Sequence, residues 1–249
     1  MRPMETQSTV AARYVLTAEV GHVFVPLVRR LAREHEVRSI CDLGGGANPV
    51  LALDDIEQLG LRYLVVDGSG EELAKAPGGY ETRRLDIGNA SFDHEGERFD
   101  LVVSRFVAEH VADPVLFHST ARVLLRPGGR AAHFFPTLPS PPFVVNRLLM
   151  EPGSRRVLNL LQPRIRHEQG QHGKFRAYYR WCEGPTRRQY RRFASVGFSV
   201  EDYVVLVGHD YYSRLPGLQR SADFVSRQLI RRPWPGLSTY SAVVLRRRP

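Results

Sequence analysis

The chain has 249 residues, 43% of them hydrophobic, enough for one large core or for one domain carrying a long insertion. Its two cysteines, Cys41 and Cys182, lie far apart without CxxC or Cys/His spacing, which argues against a zinc site or a disulfide framework and for a reducing compartment. The net charge of +9 is uneven: residues 1–140 hold 15 Lys and Arg against 19 Asp and Glu, residues 141–249 hold 20 against 7, and the surplus reads either as a solvated basic face or as a grip on an anionic partner.

Glu5, Arg13 and Glu19 interrupt the N-terminus where a signal peptide would need an apolar run. No window approaches the roughly 18 apolar residues of a transmembrane segment. The expectation is a cytoplasmic protein. Residues 8–34 have apolar positions at helical spacing and predict an N-terminal helical segment within 1–36. "RSICDLG" reads as a strand buried on both faces, followed by a helix over 48–58 and a second strand, "LRYLVVD", ending at Asp67. Ser69 with Glu72 three residues later is a capping box and starts the next helix. "TRRLD" makes a third strand ending at Asp86, and "RFDLVVSRF" a fourth. Asp113 as N-cap and Pro114 at the first position open a helix, and "RPGGRAAHFFPT" turns into a fifth strand.

Residues 138–184 then hold Pro, Arg and aromatics without a clear period and read as an insertion or lid on the substrate side. After it, Pro185–Ser195 predicts a helix closed by Gly197, "FSVEDYVVLVG" a sixth strand, "LQRSADFVSRQLI" a helix and "STYSAVVLRRR" a final strand. The alternation means βαβ units and a parallel sheet in a single domain spanning 1–249.

The loop "CDLGGGANP" ends the first strand, and acids end the second and third. In such sheets ligands lie beyond the carboxyl ends of the strands, where strand order reverses. Asp67, 23 residues after Gly44, is placed to accept hydrogen bonds from two ribose hydroxyls. A dinucleotide site wants a glycine where Pro49 stands, and proline has no backbone N–H to offer a phosphate. A phosphate-binding Walker loop is excluded, since no GKS or GKT follows.

"CDLGGGANP", "VVDGS", "RLDI", "FDLVVSRFVAEHVADP" and "LLRPGGR" stand in the order and spacing of class I S-adenosylmethionine-dependent methyltransferases, which the chain resembles over residues 39 to about 136. The resemblance implies a Rossmann-like doubly wound sheet of about seven strands, mostly parallel with an antiparallel last strand, and a cap-like insertion after the fifth. It implies S-adenosyl-L-methionine as cofactor, with Asp42, Gly44, Gly45 and Gly46 along its amino-acid end, Asp67, Gly68 and Ser69 at the ribose, Asp86 and Ile87 at the adenine, and Ser104, Arg105 and Phe106 bordering the methionine portion. The family's final loop glycine is Asn48 here; asparagine tolerates a left-handed backbone, so a reshaped loop is expected.

A sulfonium is already activated, so the protein must align a nucleophile with the S–CH3 bond and exclude water, and an oxygen nucleophile usually also needs a base. His110 after the fourth strand and His209 after the sixth are the catalytic candidates, each with a structural role as the alternative. His172, Arg176, Tyr178 and Tyr179 in the insertion, and Asp210, Tyr211 and Tyr212 beside His209, are the substrate-binding candidates, suited to an anionic or aromatic small-molecule acceptor. No metal site is expected. An RNA methyltransferase using the basic C-terminal part, a non-catalytic cofactor-binding partner subunit and a nicotinamide dehydrogenase are the rivals. The first lacks an RNA-binding module, which argues against a nucleic acid partner.

Overall fold

The computed structural model describes residues 10–16, 21–86, 96–138, 176–208 and 216–249. Chain order gives β1 (Arg13–Leu16), α1 (Gly21–Glu34), β2 (Ser39–Leu43), α2 (Leu53–Leu59), β3 (Arg62–Asp67), α3 (Gly70–Leu73), β4 (Glu81–Arg84) and β5 (Phe99–Arg105). A 3-10 turn at Ala108–His110 follows, then α4 (Pro114–Leu124), β6 (Leu125–Pro136), α5 (Arg187–Ser195), β7 (Phe198–Val207), α6 (Pro216–Arg231) and β8 (Tyr240–Arg247).

All eight strands join one sheet in the order β1-β7-β8-β6-β5-β2-β3-β4. Every pairing is parallel except those of β8 with β6 and β7. The chain moves outward from β2 through β3 to β4 and then places β5 on the other side of β2, so strand order reverses at the carboxyl end of β2, where the three glycines stand. β2 is buried along its whole length, as expected of a strand in the middle of a parallel sheet.

Local signals set several boundaries as expected. The Asp113 carboxylate accepts from the N–H groups of Val115 and Leu116, with Pro114 at the start of α4. The Ser69 hydroxyl accepts from Glu72 N–H at 3.3 Å. α1 buries Phe24, Leu27, Val28, Leu31 and Ala32, a single helical stripe against the sheet.

Two expectations need correction. The N-terminal helix begins at Gly21 and not at residue 8, because Arg13–Leu16 form an edge strand parallel to β7, with Tyr14 opposite Val205. Four residues carry too little sequence to tell period 2 from period 3.6, and sheet pairing decides. That strand brings the sheet to eight strands. The helix expected over 48–58 starts only at Leu53, since residues 44–52 make the loop and its exit. Of the 138–184 insertion, residues 139–175 lie outside the described residues. Among the described residues no helix is long and apolar enough to cross a membrane.

Candidate active site

The glycine loop is squeezed from three sides. A Cβ on Gly44, which holds φ +72°, would stand 2.5 Å from Val107 Cγ2; one on Gly45 would stand 2.8 Å from Val65 Cγ1 and 2.9 Å from the Asp42 carboxyl carbon; one on Gly46, at φ +38°, would stand 2.8 Å from Asp67 Oδ2. Only glycine tolerates this conformation and this crowding together. The loop thus lies between the ends of β3 and β5, so one ligand resting on it would touch both neighbours.

Asp42 is fully buried under the loop. Its Oδ2 accepts from Tyr63 OH at 2.6 Å and from Val50 N–H at 2.7 Å, while Oδ1 has no partner. Burial pushes its carboxyl up to about 6, against the lowering effect of those two donors. Asp42 therefore ties the loop's exit to β3 from beneath. Asn48 makes no use of its tolerance for a left-handed backbone, since the loop's positive φ angles fall on Gly44 and Gly46. Its N–H instead closes a turn on Gly45 O at 2.7 Å. The Arg105 guanidinium donates to the carbonyls of Asn48 and Pro49 at 3.1 and 3.3 Å, fastening the loop to the end of β5.

Asp67 closes β3 half-buried, its Oδ1 accepting from Ser69 N–H at 2.8 Å. Burial raises its carboxyl above the usual range. Oδ2 faces Gly46. Gly68 lies against Leu85 and Asp86, with no closer obstruction than 3.7 Å, and Asp86, expected to end the strand, is exposed two residues beyond β4. These residues fit a ribose and adenine: a carboxylate oxygen aimed at a bare glycine loop, beside an open edge. Ile87 lies outside the described residues.

The three residues expected at the methionine end occupy different places. Phe106 stands on the rim, partly exposed, at φ +60°, its ring edge-on to Phe134 at 5.3 Å and to Tyr240 at 5.9 Å. A bulky residue held there stores strain that the surrounding contacts must sustain, a frequent property of functional positions. Arg105 is spent on the loop. Ser104 is fully buried, its hydroxyl 2.8 Å from His133 Nδ1 on β6, because alternate side chains of β5 face opposite sides of the sheet.

The 3-10 turn after Phe106 carries two neighbouring ionisable side chains, Glu109 and His110. His110 Nδ1 lies 3.2 Å from the carbonyl of Arg176. A carbonyl can only accept, so Nδ1 bears the proton in this contact and Nε2 is the acceptor nitrogen of the neutral ring. Burial lowers the imidazole below its ordinary range, partly offset by that bond. Nε2 is 3.9 Å from Oε1 of Glu109. Glu109 was not legible as a site residue. It is buried, its Oε2 has no partner, and burial pushes its carboxyl up to about 8. A lone acid in the apolar run "FVAEHVA" is the signal that could have found it.

Residues 176–182 clamp onto this turn. The N–H groups of Tyr178 and Tyr179 both donate to Glu109 O, at 2.7 and 3.0 Å, and Arg180 donates to Ala112 O at 2.8 Å. The Arg176 guanidinium lies 5.1 Å from the centroid of the Tyr178 ring. Tyr179 is buried at φ +51°, so its side chain packs into the core. Arg176 and Tyr178 thus sit beside His110, whereas His172, His209, Asp210, Tyr211 and Tyr212 lie outside the described residues. Among the described residues no cluster of His, Cys, Asp and Glu could hold a metal ion.

Residues 17–201 match a family model described as a methyltransferase domain. Among curated proteins, the chain is 34% identical over 97 residues to the ubiquinone biosynthesis O-methyltransferase of Nitrobacter winogradskyi, covering 37% of this chain and 36% of that one. It is 33% identical over 95 residues to the enzyme of that name from Cereibacter sphaeroides, covering 36% and 38%. The matches therefore span little more than a third of those relatives' length. Among solved structures, the YcgJ protein of Bacillus subtilis superposes with a TM-score of 0.51 at 14% identity, over 92% of this chain and 99% of that one. The CurJ carbon methyltransferase does so with a TM-score of 0.54 at 15% identity, over 92% and 55%. Both likenesses are of fold.

Proposed function

Because the chain belongs to the methyltransferase-domain family, with S-adenosyl-L-methionine as its cofactor, we propose that it transfers a methyl group to an oxygen nucleophile on a small-molecule acceptor. The bound sulfonium supplies a methyl group already activated for transfer.

Gly44, Gly45 and Gly46 receive the amino-acid end of the cofactor, and Asp67 accepts from its ribose hydroxyls. Asp42, Tyr63 and Arg105 act one step back, by holding the loop in shape. Phe106 and Tyr178 wall the rim and keep water out.

The observation that carries the oxygen reading is the Glu109–His110 pair. An alcohol or phenol must lose its proton on methylation, whereas a neutral amine need not. His110 Nε2 is unprotonated in the neutral ring, fixed by the Nδ1 contact to Arg176 O, and takes that proton. Glu109 Oε1, 3.9 Å away, steadies the imidazolium once the carboxyl is ionised. The two matched relatives are named as O-methyltransferases, which supports the same class of acceptor.

Turnover measured side by side on phenolic, carboxylate and amine acceptors tests this. Faster turnover of phenols, lost in His110→Ala by about 100-fold or more, is expected. A preference for amines with His110→Ala unimpaired contradicts it.

A further inference from the structure

The segment joining β7 to β8 carries α6, none of whose residues enters the site described above. β7 ends and β8 begins at the rim that carries Gly44 and Asp67, with Leu206 and Pro136 both opposite Tyr240, so this segment leaves and rejoins the sheet there. α6 turns Leu229 and Ile230 onto the core and buries Ser226, whose hydroxyl donates to Ala222 O. It is seated on the edge formed by β1 and β7.

Its outer face is different. Arg220, Phe224, Arg227 and Arg231 are all exposed and follow one another at helical spacing, with Val225 and Arg232 on the adjoining stripe and Trp234 just beyond the helix end. Phe224 is 63% exposed, Val225 51% and Trp234 64%. Single exposed apolar residues are ordinary, but two large ones side by side on a helix with a third just beyond its end are not. No acid shares the face, since Asp223 is half-buried and accepts from Gln219 at 2.8 Å. Among the described residues, none of the four guanidinium groups is paired with a carboxylate.

We propose that α6 and Trp234 seat the protein on an anionic phospholipid surface. A second copy of the chain is a poor occupant, because a two-fold contact through this face would bring its arginines against their own counterparts and strip water from unpaired charges. Nucleic acid suits the arginines and the aromatic rings but leaves Val225 with nothing to stack on. A bilayer interface satisfies all of them. Phe224, Val225 and Trp234 enter the boundary between headgroups and acyl chains, and the arginines meet lipid phosphates. The basic surplus of residues 141–249 adds long-range attraction to the same sign of surface. The helix hangs from the rim on which the cofactor loop opens, so an acceptor dissolved in the membrane is delivered on the correct side of the sheet. Vesicle binding is read without turnover, so its outcome is separate from the acceptor chemistry proposed above.

Sedimentation with vesicles is the test, comparing phosphatidylcholine alone with phosphatidylcholine containing phosphatidylglycerol. The chain has two tryptophans, Trp181 and Trp234, so Trp181→Phe leaves Trp234 as sole reporter, and the difference between the unsubstituted protein and Trp234→Phe reports the same signal independently. The expected result is co-sedimentation with the anionic vesicles only, with a blue shift of Trp234 emission. Phe224→Ser should lower partitioning by about tenfold. Arg227→Gln should lower it by about fivefold, the equivalent of one basic residue near a charged surface. No co-sedimentation overturns the proposal, as does binding indifferent to both substitutions. A Trp234 shift that follows protein concentration alone overturns it in favour of self-association. Salt-sensitive binding of a single-stranded RNA without vesicle binding overturns it in favour of nucleic acid.

Discussion

Gly46 in the glycine loop and Asp67 at the end of β3 face each other so closely that a Cβ on the glycine would lie 2.8 Å from the carboxylate Oδ2. The glycine is thus required by the acid as much as by its own φ of +38°. Gly46→Ala should push Asp67 out of place and reduce S-adenosyl-L-methionine affinity by at least tenfold. Asp67→Ala, which removes charge-assisted hydrogen bonds, should reduce it by roughly 10- to 100-fold. Titration calorimetry on both variants checks this, and unchanged affinity in Asp67→Ala would place the ribose elsewhere.

The pair Tyr63 and Asp42 carries the loop from below. Tyr63→Phe leaves Asp42 Oδ2 with the Val50 N–H alone, in a site where the carboxyl is already pushed up to about 6. The expected result is a loss of about 1 to 2 kcal/mol in stability together with weaker cofactor binding, although Tyr63 would not touch the cofactor. Chemical denaturation and calorimetry on the same samples measure the two effects. A loss of stability with full affinity would mean that the loop keeps its shape without this bond.

What could be read from the sequence was local. The Asp113–Pro114 helix start, the Ser69–Glu72 cap and the doubly buried β2 each depend on residues within a few positions of one another. β1 escaped because its partner β7 lies almost the whole chain away and four residues have no period of their own. Ser104 was expected at the methionine end; its register partner on β6 is His133, which draws its hydroxyl into the interior. Glu109 became a buried acid only when Tyr178 and Tyr179 closed on its carbonyl from some 70 residues downstream. Asn48 was weighed for its backbone tolerance, yet it serves through its N–H and its carbonyl.

Glu109 gives a pH dependence of definite sign. Its carboxyl is held at about 8 in the folded chain against an ordinary 4.5, so folding favours the protonated form. Its contribution is fully present below pH 4.5 and is lost as pH rises towards 8. Glu109→Gln cannot ionise and should gain stability over the unsubstituted chain through that window, at up to about 1.4 kcal/mol per pH unit, with little difference at pH 4. Activity should move the other way, the variant losing its rise in rate near pH 8. Melting curves and rate profiles across pH 5–9 read both, and parallel curves for the two proteins would contradict the assignment.

His133 predicts the opposite slope. Burial among Phe117, His118 and β5 holds its imidazole down to about 3, so the ring stays neutral when folded and charges near 6.5 when unfolded. Its contribution is present above pH 6.5 and lost as pH falls towards 3. The paired substitution Ser104→Ala with His133→Phe removes both polar partners together and should flatten the acid side of the stability profile at small cost near pH 7. Denaturant midpoints between pH 7 and 4 would show it, and an unchanged acid slope would remove His133 from the account.

Methyl transfer to an acceptor oxygen can be followed atom by atom. A panel of small phenols and alcohols incubated with the protein and S-adenosyl-L-methionine deuterated at its methyl group would be read by mass spectrometry with fragmentation. The expected product carries the labelled methyl on oxygen and forms at a rate that falls by about 100-fold or more in His110→Ala. Label appearing on nitrogen or carbon of the acceptor, or formed equally fast without His110, would contradict it.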